Sequence, residues 1–176
     1  MARECLLELQ GSITINGKKF EKGDTIAWYR VYPFFLLHMG VFGGSGFFMA
    51  YTEDGPPLAF LYMHGGFACL VYLIFYVTIF GVDRVRWMFI NAALGLFGIY
   101  AQIDWILSLF GKQASDYSAW VHFIPFFYYV LYTFLLHQMV IDIFRGRSDE
   151  RRRRFIDALY IALSLLIYGA IWVASG

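Results

Sequence analysis

The sequence predicts an all-α membrane protein, a polytopic bundle of five transmembrane helices with a small N-terminal cytoplasmic β-hairpin. Of its 176 residues, 60% are apolar and 21% aromatic, and only 15% are charged. A soluble domain carries about 25% charged residues. This composition excludes a soluble enzyme and a nucleic-acid-binding protein, and it makes the membrane the first expected partner.

Five stretches are long and apolar enough to cross a hydrocarbon core, which takes about 20 residues of helix. Short joints that hold most of the charged and turn-forming residues separate them. The chain therefore divides into a hairpin and interfacial anchor (1–31), a four-helix core (32–144) and a basic loop with a fifth helix (145–176). The predicted spans are Tyr32–Tyr51, Leu58–Gly81, Arg86–Phe110, Ala119–Phe144 and a fifth from Phe155 almost to the C-terminus.

The basic residues predict the orientation. If the N-terminus is cytoplasmic, 13 of the 14 lysines and arginines fall on the cytoplasmic side and only Lys112 falls outside. Basic residues stay on the cytoplasmic side during insertion. We therefore expect a cytoplasmic N-terminus and a C-terminus on the outer side.

The hairpin is predicted from residues 5–24, where apolar and polar residues alternate around Asn16-Gly17. That dipeptide favours a two-residue hairpin turn. The hairpin is too short to bury a core of its own. We expect it to rest on the membrane surface or on a partner.

All four histidines fall inside predicted spans. Ionisable groups in hydrocarbon are costly, so they usually face the bundle interior and have a task. Counting along the helices places His38 and His137 about 10 Å below the cytoplasmic surface, and His64 and His122 roughly 5–9 Å below the outer surface. The histidines thus form two pairs at two depths.

Two such pairs, stacked across the bilayer, match two haems b that are each held by two imidazoles. A bis-histidine iron site is closed to other ligands, which favours electron transfer. Glycines in the spans would leave room for the flat rings, although small residues also simply permit close helix packing. These glycines are Gly40, Gly43, Gly44, Gly46, Gly65, Gly66, Gly95 and Gly98.

The placement of the ligands over residues 30–145 resembles the bacterial two-haem cytochrome b family, the membrane subunits of nickel–iron hydrogenases and formate dehydrogenases. In that family the first helix carries a ligand after an arginine, as in Arg30 and His38. The second carries a ligand followed by glycine, as in His64-Gly65-Gly66, and the fourth carries two ligands, as in His122 and His137.

The chain departs from the family at Met39, where a tryptophan usually follows the first histidine, and in its hairpin and fifth span. The resemblance implies a subunit of a redox complex in the bacterial inner membrane. Such a subunit transfers electrons between a partner subunit and membrane quinone. It would be part of an oxidoreductase without necessarily performing bond chemistry itself.

Several further residues are candidates for the same chemistry. Asp104, with Tyr100 close by, could pass a proton to quinone or bond a ligand histidine, or simply be hydrated near the interface. Arg30 and Arg145 are placed to bind haem propionates on the cytoplasmic side. Other candidates for propionate binding are Arg147 inside and Lys112, Trp120, Tyr117 and Tyr51 outside, and Asp142 and Asp157 are expected to pair with the arginines between them.

Two other functions compete with electron transfer. One is a small transporter or ion channel in which Asp104 and the histidines form a proton or cation path. Helices broken at the glycines would favour this function. The other is a structural subunit of a membrane complex that binds no cofactor.

Overall fold

The N-terminal segment forms four short strands. The computed structural model of the protein describes residues 6–15 and 17–174. The strands are β1 (Leu6–Glu8), β2 (Ile13–Ile15), β3 (Lys18–Phe20) and β4 (Thr25–Ala27). β2 and β3 pair antiparallel with Ile13 opposite Phe20, which confirms the predicted hairpin, and β1 pairs with β4 outside it. Asn16 of the turn lies outside the described residues, whereas Gly17 has a φ of 75°, which a two-residue hairpin turn requires.

These strands rest on the helices of the same chain. Leu7 and Leu9, which share one face of the strand segment, are only 1% exposed. The backbone N–H groups of Gln10 and Gly11 donate to the carbonyl of Thr78, at 2.8 and 3.0 Å. The expected support was the membrane surface or a partner. The structure instead provides it at the end of the protein's own second helix.

Helices make up most of the described chain. They are α1 (Trp28–Ala50), α2 (Leu58–Phe80), α3 (Val82–Leu94), α4 (Leu96–Ser108), α5 (Phe123–Ile143) and α6 (Glu150–Ala174), with a short 3-10 turn at Ala114–Asp116. Within residues 6–15 and 17–174, four of them (α1, α2, α5 and α6) are long and apolar enough to cross a membrane, and α3 with α4 could form a fifth span. α6 begins before the predicted Phe155 because Asp149 caps it, accepting bonds from the N–H groups of Arg151 and Arg152.

The third predicted span, Arg86–Phe110, is two helices and not one. α3 and α4 meet at Gly95 with a bend of 72°. The N–H of Gly95 still bonds the carbonyl of Asn91, and its own carbonyl accepts from Ile99. Helices bend sharply at residues such as glycine, which lacks a Cβ and has weak helix propensity.

α5 is the central helix and contacts every other helix of the bundle. Glycines bring α1 and α2 against it. A Cβ on Gly43 would lie 3.1 Å from the ring of Tyr128, and one on Gly65 would lie 2.4 Å from Ile124. Small residues at these positions let helix backbones approach closely in a membrane.

The two ends of the bundle differ in charge. We call the end at which α1 begins and α5 ends the basic end. Its arginines are Arg30, Arg84, Arg86, Arg145, Arg147 and Arg151–Arg154. The bent pair runs from this end, where Arg84 donates to Gln138 at 2.8 Å, to the opposite end, where Lys112 donates to the carbonyl of Tyr51 at 2.5 Å. α6 lies at the periphery against α4 and α5.

Candidate functional site

A polar contact joins α5 to α6 inside the apolar part of the bundle. Nε2 of His137 lies 2.9 Å from Oδ1 of Asp157. Both atoms are buried, and although they lie close together the contact lacks hydrogen-bond geometry, so among the described residues neither atom has a hydrogen-bond partner. The ring of Tyr160 packs on the imidazole at 4.6 Å between centroids, and the other carboxylate oxygen of Asp157 lies 3.9 Å from Arg153. The carboxylate thus connects His137 to the basic end.

Hydroxyl groups continue this line toward the middle of the bundle. The side chain of Tyr160 on α6 lies near that of Thr133 on α5. Thr133 in turn donates to the carbonyl of Tyr129 at 2.8 Å. The hydroxyl of Tyr129 donates to the side-chain oxygen of Gln102 on α4. Three helices therefore contribute to one line of polar groups.

At the opposite end, His122 is held on both ring nitrogens. Its Nε2 lies 3.1 Å from the carbonyl of Ala114, which can only accept, so Nε2 carries the proton. Nδ1 then accepts from the hydroxyl of Tyr51 at 2.7 Å. The N–H of Ala114 donates to Asp104 at 2.6 Å, and the ring of Tyr100 meets the imidazole edge-on.

Burial sets the protonation of this end. It lowers the pKa of the His122 imidazole, although the bond to the Ala114 carbonyl and the charge of Asp104 act in the opposite direction. Burial also raises the pKa of the Tyr51 hydroxyl, and the nearby Tyr100 and Tyr117 raise that pKa further. His122 is therefore neutral and Tyr51 is protonated at neutral pH, in agreement with the bonds they form.

Helical spacing explains why these groups line up. On α5, Tyr129, Thr133 and His137 are four residues apart, and on α6 Arg153, Asp157 and Tyr160 are four and three apart. Residues at such spacings share one helix face. His122 stands seven residues before Tyr129, two turns along the same face. We call the set the polar ladder: Asp157, His137, Tyr160, Thr133, Tyr129, Gln102, Asp104 and His122.

A second polar cluster closes the basic end. Asp142 is 6% exposed and accepts from Tyr32 and from two nitrogens of Arg147, one of them at 2.9 Å. The guanidinium of Arg147 also lies over the ring of Phe80. The prediction that Asp142 and Asp157 pair with arginines of the intervening loop is confirmed.

The other two histidines lie on a different side of the molecule. His38 and His64 are both exposed at the outer surface of α1 and α2. Nδ1 of His38 lies 2.6 Å from the hydroxyl of Tyr72, and the ring of Phe42 packs between the two imidazoles at 4.5 and 6.3 Å. α1 begins at Trp28 and not at Tyr32, so His38 is ten residues into the helix, about 15 Å from its start, and is deeper than the sequence count suggested.

The structure does not bring the predicted histidine pairs together. His38 faces α2 and the surroundings, whereas His137 faces α6. Between His64 and His122, α2 and α5 are in direct contact at Gly65 and Ile124. No contact in the described part of the chain joins the members of either pair. Haem binding stays a prediction.

The remaining predicted residues have local partners. Arg30 is exposed and lies against the ring of Tyr29. Arg145 is exposed and has a positive φ of 55° in the turn after α5. Asp104 and Tyr100 both lie near His122, but Asp104 accepts from the N–H of Ala114 and does not bond the imidazole, so the direct bond to a histidine that was considered for Asp104 is not formed.

An apolar cavity of about 350 Å³ lies between α1, α4 and α5, toward the opposite end. Gly40 and Gly44 form part of its wall because a Cβ at either position would touch nothing within 4 Å. No histidine lines it. Its walls suit a hydrocarbon chain, whereas the histidines lie elsewhere.

Sequence reasoning missed the contribution of α6 to the polar ladder. Asp157 was expected to pair only with arginines, and Tyr160 and Gln102 had no assigned contact. The signal was present in the spacing of Arg153, Asp157 and Tyr160 on an otherwise apolar helix. Its meaning depended on knowing that this face of α6 packs on α5.

In the part of the chain that the structure describes, no group of three or more histidine, cysteine or acidic side chains could hold a metal ion. The chain matches no protein-family model, no curated protein and no solved structure.

Proposed function

We propose that this protein moves protons across a membrane along the polar ladder. The observation that carries the proposal is the close approach of His137 and Asp157, on the same side of α5 as Thr133 and as Tyr129, which donates to Gln102. Intramembrane carboxylates and histidines that pair with one another typically mark ion pathways and proton relays.

The groups of the ladder suit proton transfer. Imidazole and hydroxyl groups can each donate and accept a hydrogen bond, so each can take a proton on one side and release one on the other. On the basic side, Asp157 and His137 form the entry beside Arg153. On the opposite side, His122 forms the exit, with Asp104 held next to it through Ala114.

The ladder is interrupted where His137 and Tyr160 meet only by ring packing, where Thr133 bonds the backbone carbonyl of Tyr129 and not its hydroxyl, and between Gln102 and His122, which no described contact joins. The last of these gaps lies beside the bent helix pair. Both Gln102 and Asp104 belong to α4, which meets α3 at the Gly95 bend. A tilt of α4 at this bend would change the distance between Gln102 and His122. Hinges of this kind concentrate the change in backbone angles in a few residues. We assign the gating of the path to α4.

The bent helix pair supports transport for a second reason. Transporters commonly place their sites beside discontinuous membrane helices. α3 and α4 form such a pair, and α4 provides three residues near the path: Tyr100, Gln102 and Asp104. The competing explanation is that the polar groups only fasten α4, α5 and α6 together.

The proposal includes a topology of five spans in the bacterial inner membrane. The bent pair begins at the basic end and finishes at the opposite end, so it counts as one crossing. The distribution of basic residues then puts the N-terminus in the cytoplasm and the C-terminus in the periplasm.

Proton flux into sealed vesicles tests this function. The purified chain is reconstituted with a pH-sensitive dye inside, and a potassium diffusion potential drives protons inward. We expect acidification well above that of protein-free vesicles. Flux equal to that of protein-free vesicles, under both a potential and a pH gradient, would overturn the proposal.

Electron transfer between a partner subunit and quinone, through two haems b, is the second candidate. The observation in its favour is His38, whose Nδ1 is held by Tyr72 while Nε2 has no partner in the described part of the chain. Ligand imidazoles commonly have their second nitrogen fixed in this way. A pyridine haemochrome assay on folded protein should find two haems per chain if this candidate is correct, and none if it is not.

A further inference from the structure

The outward surface of α1 and α2 carries both histidines that the polar ladder does not use. We call this surface the histidine face and define it by His38, His64, Phe34, Phe42 and Phe60. The ring of Phe34 stacks on His38 at 5.6 Å with planes 16° apart, and that of Phe60 stacks on His64 at 5.9 Å with planes 6° apart. Each imidazole is thus held in place with one edge outward.

The outward edges of these imidazoles lack hydrogen-bond partners. Nε2 of His38 and both nitrogens of His64 form no hydrogen bond within residues 6–15 and 17–174. Both residues lie within helices that are long enough to span a membrane. A polar group that faces hydrocarbon without a partner is costly. A polar partner against the histidine face would remove this cost.

A second copy of this chain matches the face by its chemistry. Two copies inserted with the same topology are related by an axis along the membrane normal, which keeps every residue at its own depth. A histidine that lies beside this axis then meets its own counterpart, and Phe42, which packs between His38 and His64, keeps both imidazoles on one narrow strip of surface. A neutral imidazole has one donor and one acceptor nitrogen, so two imidazoles can form one N–H···N bond.

Tyr72 makes this pairing possible for His38. A tyrosine hydroxyl can donate to Nδ1 or accept from it, so Nε2 can be the acceptor in one copy and the donor in the other. His64 has no bond that fixes its tautomer. A different partner would need a donor or acceptor at two separate depths, whereas a second copy provides both by symmetry.

Small residues beside the histidines permit the approach. Ser45 lies two turns from His38 on the same side of α1 and bonds only its own helix backbone. Gly66 lies two residues after His64 on α2, and a Cβ at this position would touch nothing within 4 Å. Small residues are typical of helix contacts in membranes. We propose that the histidine face is the interface of a two-fold homodimer in which His38 and His64 each pair with their counterparts.

Cross-linking in native membranes tests the interface. Ser45→Cys is introduced into a chain that also carries Cys5→Ser and Cys69→Ser, and the membranes are treated with a mild oxidant. A disulfide-linked dimer should form. The matched control, Leu163→Cys on the exposed side of α6, should give none. Equal cross-linking of both variants, or none of Ser45→Cys, would overturn the proposal.

Self-association of the purified full chain tests the role of the imidazoles. Sedimentation in detergent should show a dimer for the unchanged protein. The double variant His38→Leu, His64→Leu should dissociate about tenfold more readily, as expected for two lost interhelical hydrogen bonds. If sedimentation shows a monomer for both the unchanged protein and the double variant, the homodimer is contradicted. It is also contradicted if Ser45→Cys cross-links only to a protein of a different mass. A visible haem band that His38→Leu removes would contradict direct pairing of the imidazoles.

Discussion

His137 of α5 and Asp157 of α6 place a nitrogen and a carboxylate oxygen 2.9 Å apart within the apolar part of the bundle. α6 is otherwise loosely held, since only 6% of its apolar stretch is buried. Dispersion contacts alone would hold such a helix weakly, and polar contacts between helices help to fix its position. The same contact places a carboxylate of the peripheral helix at the start of the polar ladder.

Gly65→Ala should destabilise the bundle. The new Cβ would lie 2.4 Å from Cγ2 of Ile124, so the Ile124 side chain or one of the two helices has to shift. Overpacking of this kind costs about 1–3 kcal/mol. The matched control is Gly66→Ala, where nothing lies within 4 Å. Thermal unfolding in detergent should separate the two variants, and equal midpoints would show that α2 and α5 do not meet at Gly65.

Asp142→Ala should be more damaging than Asp83→Ala. Removing Asp142 leaves Arg147 and Tyr32 without their shared partner in a buried site. Breaking a buried ion pair on one side costs about 3–5 kcal/mol. Asp83 pairs with Arg86 on the surface, and such pairs contribute about 0–1 kcal/mol. Similar losses of folded protein for both variants would contradict the buried cluster.

Stability should fall as the pH is lowered from neutral. Burial lowers the pKa of His122 in the folded protein, so the unfolded chain binds the proton more readily. The contribution of His122 is therefore present above its unfolded pKa of about 6.5 and is lost as the pH falls through the lower folded value. His122→Asn should remove this part of the pH dependence in thermal unfolding, whereas His64→Gln should keep it. If the stability of His122→Asn depends on pH as that of the unchanged protein does, another group is responsible for the pH dependence.

Fusions to a reporter that is active only in the periplasm test the topology. A fusion after Gly176 should be active, and one within Ser148–Arg151 should be inactive. The reason is the concentration of basic residues at one end of the bundle. Activity at both positions would mean that α6 does not cross the membrane.

Much of the fold could be predicted from the sequence, because hydropathy and turn residues mark where helices begin and end. The hairpin at Ile13–Phe20 and four of the helices were found in this way. The bend at Gly95 was not, since the stretch is continuously apolar and glycine occurs in straight membrane helices as well. Local composition does not show at which glycine the packing of neighbouring helices bends a helix.

The histidines show a second limit. Counting residues gives an approximate depth, but the direction in which a side chain points depends on the neighbours of its helix. His122 and His137 were expected to share one sector of α5, and both contact the α4 and α6 side of the bundle. His38 and His64 were expected to face inward, yet both lie on the outer surface. Only the packing of α1 and α2 on α5 decides this.

The most direct test of the polar ladder is the proton flux of matched variants in sealed vesicles. Asp157→Asn and Tyr129→Phe each remove one titratable or bridging group of the ladder. Asp83→Asn and Tyr62→Phe make the same chemical changes at an exposed ion pair and at a bond to the carbonyl of Trp120. At equal protein content, we predict that the two ladder variants lose about nine-tenths of the flux and that the two controls keep it. Full flux in Asp157→Asn and Tyr129→Phe would contradict proton transfer along the ladder.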